Sequence, residues 1–550
     1  MPSPSPPRGA TRRARRQAAR GSRQTGPGGG GAPAPPVPAV AAPPPRRSWA
    51  LLALAAAAAV LFYSLPRWLA PHPWSYDEYY HLGVARELVR HFPLRRFPWT
   101  PFSILADHYA DKEILFHLGL MPFARLPLAA AGIAGTLLGQ VFVVASFAFA
   151  LVRLGVPRPH RFVWGLALLG PLFAYRFAMC RPQVWMIAFA LLFLALLLGR
   201  ARGWALALAA ALFGLAHTGG WIVVAFAALW GLAGFLTPPR SAAASNDDAA
   251  TRRLLWRPLA WTAGGWLAGQ LVHPNFPANF RLAFLQNVVV PFQSTGAGNA
   301  ALGAVTGAEL TAPGLAVLAE QWPAFLAPIA AWVLLAREPR LRTRATLTTA
   351  ILAAGFLALG AVFFQRLLEI GAPLGLLAFA LAVAERERQA PPPRRPAAGW
   401  GALAAAGAVL IGGLWSFALV RAHGFGVSYP LEMARWLGAN GRSGERVFTA
   451  QWGDSAPIFY AAPQLQSLVA LDPVFFYAKD RGLFLAYVDL AMGRSADPVP
   501  AIARRFGCRW VTVWRAPVFA GLTRELARDP RARLAYVDPY YLVFRLDVPG

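Results

Sequence analysis

The sequence predicts a polytopic α-helical membrane protein with a C-terminal soluble α/β domain. Only 14% of its residues are charged, whereas soluble chains carry about 25%. Hydrophobic residues make up 56% of the chain, and the mean hydropathy is +0.42. They form eleven apolar runs, and about 20 apolar residues are needed to cross a bilayer as a helix. After residue 421 these runs give way to short alternating strand and helix patterns.

The first 47 residues contain nine Arg and no acidic residue, with Pro, Gly and Ala filling most of the remainder. Such a segment cannot bury a core and is predicted to be a disordered cytoplasmic tail. An apolar run begins at Ser48. A signal peptide is the alternative interpretation, but the basic region is very long and no clear cleavage site precedes Trp68. We therefore predict an uncleaved signal anchor.

The membrane domain is predicted to cover residues 48–421, with about eleven transmembrane helices. The apolar segment 114–127 is short and ends in Arg125, so it is predicted to be an interfacial helix within the outer loop 67–127. The predicted spans are 48–66, 128–152, 162–178, 183–199, 203–217, 219–237, 255–272, 314–336, 345–364, 367–385 and 399–420.

The distribution of Arg predicts the orientation of these spans. With the N-terminus in the cytoplasm, every Arg-rich short loop falls on the cytoplasmic side, as the positive-inside rule requires. This placement accounts for most of the net charge of +28, so nucleic acid is not expected as a partner. The C-terminal domain, residues 422–550, is then outside. Arg-for-Lys usage and abundant Ala suggest a GC-rich bacterial genome, hence a multi-pass inner-membrane protein whose C-terminal domain is periplasmic.

The first outer loop opens with Ser75-Tyr-Asp-Glu-Tyr-Tyr-His81. Carboxylates close to lipid are costly and are often retained for function. On a helix, Asp77 and His81 lie on one face, so Asp77 is a candidate general base, with Glu78 or His81 in support. The alternative is that both acids only stabilise a helix N-terminus through its dipole.

Other ionisable residues gather on the same predicted side. Arg181 precedes Pro182 at a helix start, where Arg can bind phosphate with two hydrogen bonds or simply extend to lipid headgroups. Arg366 and Glu369 are three residues apart and form either an intrahelical ion pair or a phosphate clamp. His217 and His273 are either ligands or structural residues. The substrate-binding candidates in the membrane domain are His81, Arg176, Arg181, His217, His273, Arg366 and Glu369.

No cofactor is expected from the sequence. The two cysteines, Cys180 and Cys508, are far apart in the chain, and no His, Cys, Asp or Glu group has the spacing of a zinc site. A divalent metal is therefore not supported by the sequence.

The C-terminal domain combines predicted strands at 447–451, 467–471, 510–514 and 541–545 with predicted helices at 430–438, 480–491, 498–506 and 516–528. This alternation indicates a small α/β sheet. The segment Gln451-Trp-Gly-Asp-Ser455 follows the first strand, a position where such sheets often carry sites. Trp452 and Asp454 are therefore further candidates for substrate binding.

The order of these motifs resembles the GT-C superfamily of membrane glycosyltransferases. The resemblance is carried by the uncleaved first span, the acid-bearing Ser75–Leu82 segment, Phe92-Pro93 and Asp107-His-Tyr-Ala-Asp-Lys-Glu113. It implies a polyprenyl-phosphate or -diphosphate sugar donor, a catalytic carboxylate at Asp77 or Glu78, and lipid-phosphate ligands at Arg181 and Arg366.

Two features of this sequence differ from the oligosaccharyltransferase pattern within that superfamily. Gln451–Ser455 is similar to an acceptor-peptide motif, yet it lacks the second Trp, the Tyr and the final Gly of that motif. The second outer loop, 273–313, lacks the Asp-x-Asp-like pair of acids expected there, because Glu309 is its single acidic residue.

The resulting hypothesis is an inverting transferase in which Asp77 deprotonates an acceptor hydroxyl at the outer face. The leaving phosphate is then held by Arg181 and Arg366, assisted by His273 or Arg176. One alternative is a ligase that transfers a whole glycan with the same groups. Another is a non-catalytic transporter or scaffold for lipid-linked envelope glycans, although no internal repeat of the transporter kind is evident.

Overall fold

The structure is a computed structural model that describes residues 46–236, 248–290, 311–389, 400–422, 426–470 and 472–547. All but the last two residues of the predicted tail 1–47 lie outside this part of the chain, as do residues 291–310 with Glu309. The helices up to residue 422 are α1 Arg46–Leu69, α2 Tyr76–Arg90, α3 Ile114–Leu120, α4 Leu128–Arg153, α5 His160–Trp164, α6 Pro171–Phe177, α7 Pro182–Leu198, α8 Gly203–Ala216, α9 Ile222–Leu236, α10 Asp248–Leu271, α11 Ala278–Phe284, α12 Leu315–Glu320, α13 Trp322–Arg337, α14 Arg344–Val362, α15 Leu368–Gln389 and α16 Trp400–Ala422.

Helical segments occur at all eleven predicted positions, but not all are long enough to cross a membrane alone. Within the described residues, five helices have the length and apolar composition of a span, or six if one bent pair is counted. The predicted number of about eleven is therefore not confirmed. The apolar segment at Ile114–Phe123 is too short to be counted among these spans, and its interfacial position stays a prediction.

The predicted span 162–178 is broken into pieces. It contains α5, a 3₁₀ turn at Gly165–Leu168, and α6. Gly170 separates these pieces with φ 87°, a backbone conformation open mainly to glycine, and Pro171 then starts α6. Helix α6 forms an angle of 110° with α7. The hydropathy of the sequence does not indicate such a break, because the side chains on both sides of it are apolar.

The transmembrane core centres on α4 and α7, where Phe147 and Phe193 are completely buried. Gly132 on α4 faces α2, and a Cβ at this position would collide with the side chains of Glu78 and Arg67. The close approach of α4 therefore requires a residue without a side chain at position 132.

The C-terminal part forms a five-stranded mixed sheet of order β2-β1-β3-β5-β4, as predicted in kind from the sequence. Strands β1, β2 and β3 are parallel, while β5 is antiparallel to β3 and β4. Strand β4 was not predicted; four of its six residues are exposed, which leaves little hydrophobic pattern to detect. The strands are β1 Arg446–Thr449, β2 Gln466–Ser467, β3 Cys508–Trp514, β4 Ala532–Val537 and β5 Tyr541–Leu546, and the helices are α17 Tyr429–Asn440, α18 Ser455–Ala461, α19 Val474–Tyr477, α20 Arg481–Ala491, α21 Pro498–Pro500 and α22 Ala520–Arg528.

Helix α18 of the C-terminal part packs directly on α2, which follows α1 in the chain. A Cβ on Gly83 would lie 2.6 Å from the ring of Phe459. The rings of Tyr79 and Tyr460 meet edge to face at 5.9 Å. A single buried cluster joins α2 to the sheet, so the helix that carries Asp77 is positioned by the C-terminal part.

Candidate active site

Asp77 and Arg181 form an ion pair at the centre of the site. Asp77 lies in the first turn of α2. Arg181 is the N-cap residue of α7, and Pro182 in the first turn of that helix fixes where it starts. Their side chains are 19% and 9% exposed. The candidate base and the candidate phosphate ligand, which are about a hundred residues apart in sequence, therefore contact each other.

Glu78 points the other way, into the protein. Its carboxylate is fully buried, forms an ion pair with Arg67 of α1, and accepts a hydrogen bond of 3.2 Å from the backbone N–H of Trp74. Arg67 also donates to the carbonyl oxygen of His72. This network ties the start of α2 to the end of α1. The geometry therefore favours Asp77 over Glu78 as the group that can reach a substrate.

Two histidines and an aspartate form a buried chain behind Asp77. His81 Nδ1 lies 2.8 Å from His117 Nε2, and His117 Nδ1 lies 2.7 Å from the carboxylate of Asp111. Because the carboxylate accepts, His117 donates from Nδ1 and can accept from His81 at Nε2. When His81 donates from Nδ1 in this way, its Nε2 carries no proton and can accept a hydrogen bond.

The loop that carries Asp111 is fixed by the segment after α10. His273 Nε2 donates to the carbonyl oxygen of Asp111 at 2.9 Å, and the N–H of Asp111 donates to Asn275 Oδ1 at 3.2 Å. His273 was predicted to assist phosphate binding, and the structure engages this nitrogen with the backbone. In this arrangement His273 positions the His81–His117–Asp111 chain.

Glu113 is a further buried carboxylate near this chain. Burial raises its pKa, while Lys112 and His117 act in the opposite direction. Among the described residues, its Oε2 atom has no hydrogen-bond partner. Ligand atoms of His81, Glu113 and His117 all lie within 4.8 Å of one another. Two imidazoles and one carboxylate suit a divalent transition metal, so these residues could hold one.

Positive charge surrounds His81. Burial lowers its pKa well below the usual range, and the charges of His117, Lys112, Arg181 and His217 act in the same direction. His217 caps the next turn by accepting from the N–H of Gly219 at 2.9 Å, and it also lies within the electrostatic reach of Arg366. Arg181, His217 and Arg366 therefore lie within electrostatic reach of one region.

Arg176 and Glu369 meet at the edge of this region. Arg176 Nε is 3.4 Å from Glu369 Oε1, and the Glu369 side chain is only 5% exposed. This contact joins α15 to the turn that precedes Arg181. The prediction that Glu369 holds Arg366 in place stays a prediction.

Trp452 and Asp454 reach α2 from the sheet. They lie in a 3₁₀ turn directly after β1, where Asp454 is fully buried and Trp452 is partly exposed. Tyr541 donates to Asp454 Oδ1 at 2.7 Å. A Cβ on Gly453 would lie 3.0 Å from the ring of Tyr76, which is the neighbour of Asp77. Asp454 therefore stabilises the docking of this turn on α2. Of the two side chains, only that of Trp452 is accessible to a substrate.

Stability is expected to depend on pH through Asp454. Burial raises its pKa from 3.8 to about 7, with Tyr541 and Tyr76 opposing the change. Because the folded-state pKa lies above the unfolded one, the stabilisation from the bound proton is complete below about pH 4 and is lost as the pH rises through about 7. Thermal unfolding of the purified protein should show that wild type loses stability relative to Asp454→Asn over this range. Asp489→Asn, an exposed change on α20, is the control and should match wild type throughout.

The motif that contains Asp111, Lys112 and Glu113 was recognised from the sequence, but no role at the site was predicted for these residues, nor for His117 or Asn275. A signal for three of them was present, since Asp111, Glu113 and His117 follow one another at short spacing around the start of a helix. Their connection to His81 depends on packing between α2 and α3, which the spacing alone does not specify.

Solved structures provide the comparison with known proteins. The sequence matches no protein-family model and no curated protein. Its fold matches the archaeal oligosaccharyltransferase AglB of Archaeoglobus fulgidus, in complex with an inhibitory peptide and a dolichol-phosphate, at TM-score 0.58 and 12% identity, covering 85% of this chain and 69% of that one.

Two further structures of the Archaeoglobus fulgidus oligosaccharyltransferase match at the same identity and coverage. One is tethered to an acceptor peptide containing the NVT sequon, at TM-score 0.58, and the other is the apo form, at TM-score 0.55. At 12% identity, these matches show that the chain shares the fold of these proteins.

Proposed function

We propose that this protein is an integral membrane glycosyltransferase that moves a sugar from a polyprenyl-phosphate or -diphosphate donor to an acceptor at the outer, periplasmic face. The Asp77–Arg181 pair carries the proposal. It places a carboxylate that can accept a proton beside a guanidinium that can bind a leaving phosphate. The fold, shared with a protein solved with a dolichol-phosphate, supports a lipid-linked donor.

The proposed reaction begins when the donor phosphate binds Arg181, which is then shared between phosphate and Asp77. Asp77 takes the proton of the acceptor hydroxyl, whose oxygen attacks the anomeric carbon. The bond from that carbon to the phosphate oxygen breaks with inversion, and the electron pair goes to the phosphate. Arg181 and Arg366 stabilise the negative charge that develops there. Arg176, through Glu369, positions the turn that carries Arg181.

The test is turnover of a defined donor. The purified protein is given short-chain polyprenyl-phosphate and -diphosphate sugars with an envelope extract as acceptor, and release of prenyl phosphate or diphosphate is followed. Consumption of a single-sugar donor supports the proposal, whereas consumption only of a donor carrying a complete glycan assigns the ligase activity. Lipid binding through Arg181 and Arg366 without turnover of any donor would favour a transporter or scaffold.

Arg181→Gln is expected to weaken binding of prenyl phosphate about 10- to 150-fold, because a hydrogen bond to a charged group contributes about 1.5–3 kcal/mol. The measurement is competition of unlabelled prenyl phosphate with a labelled analogue, without acceptor. Arg90→Gln is the matched control, since Arg90 lies on α2 with a side chain that is 63% exposed. Equal affinity of Arg181→Gln and wild type would contradict the phosphate-binding role.

Removal of metal separates two forms of this mechanism. In the form proposed from the sequence, arginines alone neutralise the phosphate, so dialysis against EDTA should leave turnover unchanged. The His81–Glu113–His117 cluster favours the alternative, because Glu113 keeps a buried oxygen with no partner among the described residues. There a divalent cation would add positive charge near the phosphate. Loss of turnover on dialysis, with recovery on adding Mn²⁺ in wild type but not in Glu113→Gln, would establish that form.

A further inference from the structure

A cavity with mostly apolar walls and three arginines lies between the transmembrane helices, away from Asp77. Its volume is about 440 Å³. Residues of α7, α8, α9, α10 and α14 line it, together with the loop between α7 and α8. Three of these residues are Arg200, Arg257 and Arg344, and the aromatic walls are Trp230 and Trp261.

This cavity is at the opposite end of the helices that carry the candidate active site. Arg181 caps the start of α7, and Leu197 at the other end lines the cavity. Sixteen helical steps separate the two residues, or about 24 Å at 1.5 Å per residue. Helix α8 likewise leads from the cavity to His217, and α14 leads from Arg344 towards Arg366. By the positive-inside rule, this end faces the cytoplasm.

The lining is positively charged without a compensating acid. No carboxylate lines the cavity, and in the described part of the chain none forms an ion pair with Arg200, Arg257 or Arg344. The guanidinium of Arg344 stacks on Trp230 at 3.1 Å from the ring centroid, and its Nε donates to the backbone carbonyl of Trp230 at 2.6 Å. Arg344 is therefore held in one orientation and is not free to turn towards solvent.

One side-chain donor at this cavity has no acceptor among the described residues, and a helix also begins here. The Nη2 atom of Arg344 is buried and makes no hydrogen bond with them. Helix α8 also begins here at Gly203, and no side chain caps its first turn. A helix N-terminus of this kind attracts anions. Arg200, just before it, has φ 50°, a conformation that non-glycine residues seldom adopt and that is often kept at ligand sites.

We propose that this cavity binds a phosphate group, with the headgroup of an anionic lipid in the cytoplasmic leaflet as the source that the walls fit best. Three guanidiniums and an uncapped helix start match a phosphate monoester. The side chain of Trp261 is exposed and suits contact with the glycerol and the first acyl carbons. Basic pockets between transmembrane helices on the cytoplasmic side are a known setting for such headgroups. The proposal does not depend on the proposed transferase activity.

The test is lipid retention by the purified full-length protein in native mass spectrometry. The protein is incubated with phosphatidic acid or with phosphatidylcholine, and the lipid-bound fraction is compared. Wild type should retain phosphatidic acid selectively. Arg257→Gln and Arg344→Gln should each reduce that retention about tenfold or more, because each removes a charge-assisted hydrogen bond. Arg257 is exposed, so its variant should fold even if Arg344→Gln does not.

Arg202→Gln is the matched control, because Arg202 is an exposed Arg in the same loop that does not line the cavity. It should retain phosphatidic acid as wild type does. A parallel arm adds inorganic phosphate. In one outcome, inorganic phosphate stabilises wild type against thermal unfolding but not Arg257→Gln, while the two lipids are retained equally. That result would assign the same site to a soluble phosphate. Retention that is equal for both lipids and unaffected by all variants, with no effect of inorganic phosphate, would overturn the proposal.

Discussion

Asp77→Asn is expected to lower the rate of sugar transfer by about 10²- to 10⁴-fold, the usual contribution of a general base. The amide has the size of the carboxylate but cannot take the proton of the acceptor hydroxyl. It also no longer neutralises Arg181, so donor binding should persist or tighten. The loss should therefore appear in kcat, measured as release of prenyl phosphate at saturating donor.

Asp107→Asn is the matched control for this experiment. Asp107 lies on the same outer loop with a side chain that is 72% exposed, and it pairs with Lys479 at 3.2 Å. Its variant should turn over donor at the wild-type rate. If Asp77→Asn did the same, the base would have to be another carboxylate, and Glu113 is the buried one nearest the His81 chain.

Arg67→Met is expected to destabilise the protein by about 3–5 kcal/mol, because it leaves the Glu78 carboxylate buried without a counter-charge. Both side chains of this pair are essentially inaccessible to solvent. A loss of this size exceeds that expected for most surface changes. It is measured as a shift of the unfolding transition in detergent, with circular dichroism as the readout.

The double variant Arg67→Met with Glu78→Met separates loss of the pair from a general intolerance of the site. Replacing both partners of a buried pair with apolar residues is often close to neutral, so most of the lost stability should return. Glu432→Gln removes one partner of an exposed pair and should cost about 1 kcal/mol or less. A double variant as unstable as Arg67→Met would show that the charge itself was not the cause.

The positions of the helices could be read from the sequence, because apolar runs and Arg-rich loops report burial in lipid one segment at a time. The shape of those helices could not. Gly170 and Pro171 break one predicted span, and its last helix, α6, lies at 110° to α7. Such a bend is set by what the helix packs on, and the hydropathy of the segment is the same with or without it.

The candidate site was predicted in the same partial way. Asp77 and Arg181 could be chosen because charged residues beside apolar runs are unusual. The different environments of Asp77 and Glu78 could not be predicted, because adjacent residues share one sequence context. Only the ion pair with Arg67, on another helix, distinguishes Glu78 from Asp77. His117 was missed because an apolar helix surrounds it, and its link to His81 exists only after α2 and α3 pack.

The contact between Gly83 and Phe459 has a consequence for the timing of biosynthesis. These two residues are separated by 376 positions in the chain. At about 5–20 residues per second, the ribosome delivers the partner of α2 about 20–75 s after α2 itself. Until then the segment that bears Asp77 packs on α1, α3 and α4 but lacks the surface that α18 provides. A chain that ends before α18 would therefore lack this contact, and the position of α2 would be only partly fixed.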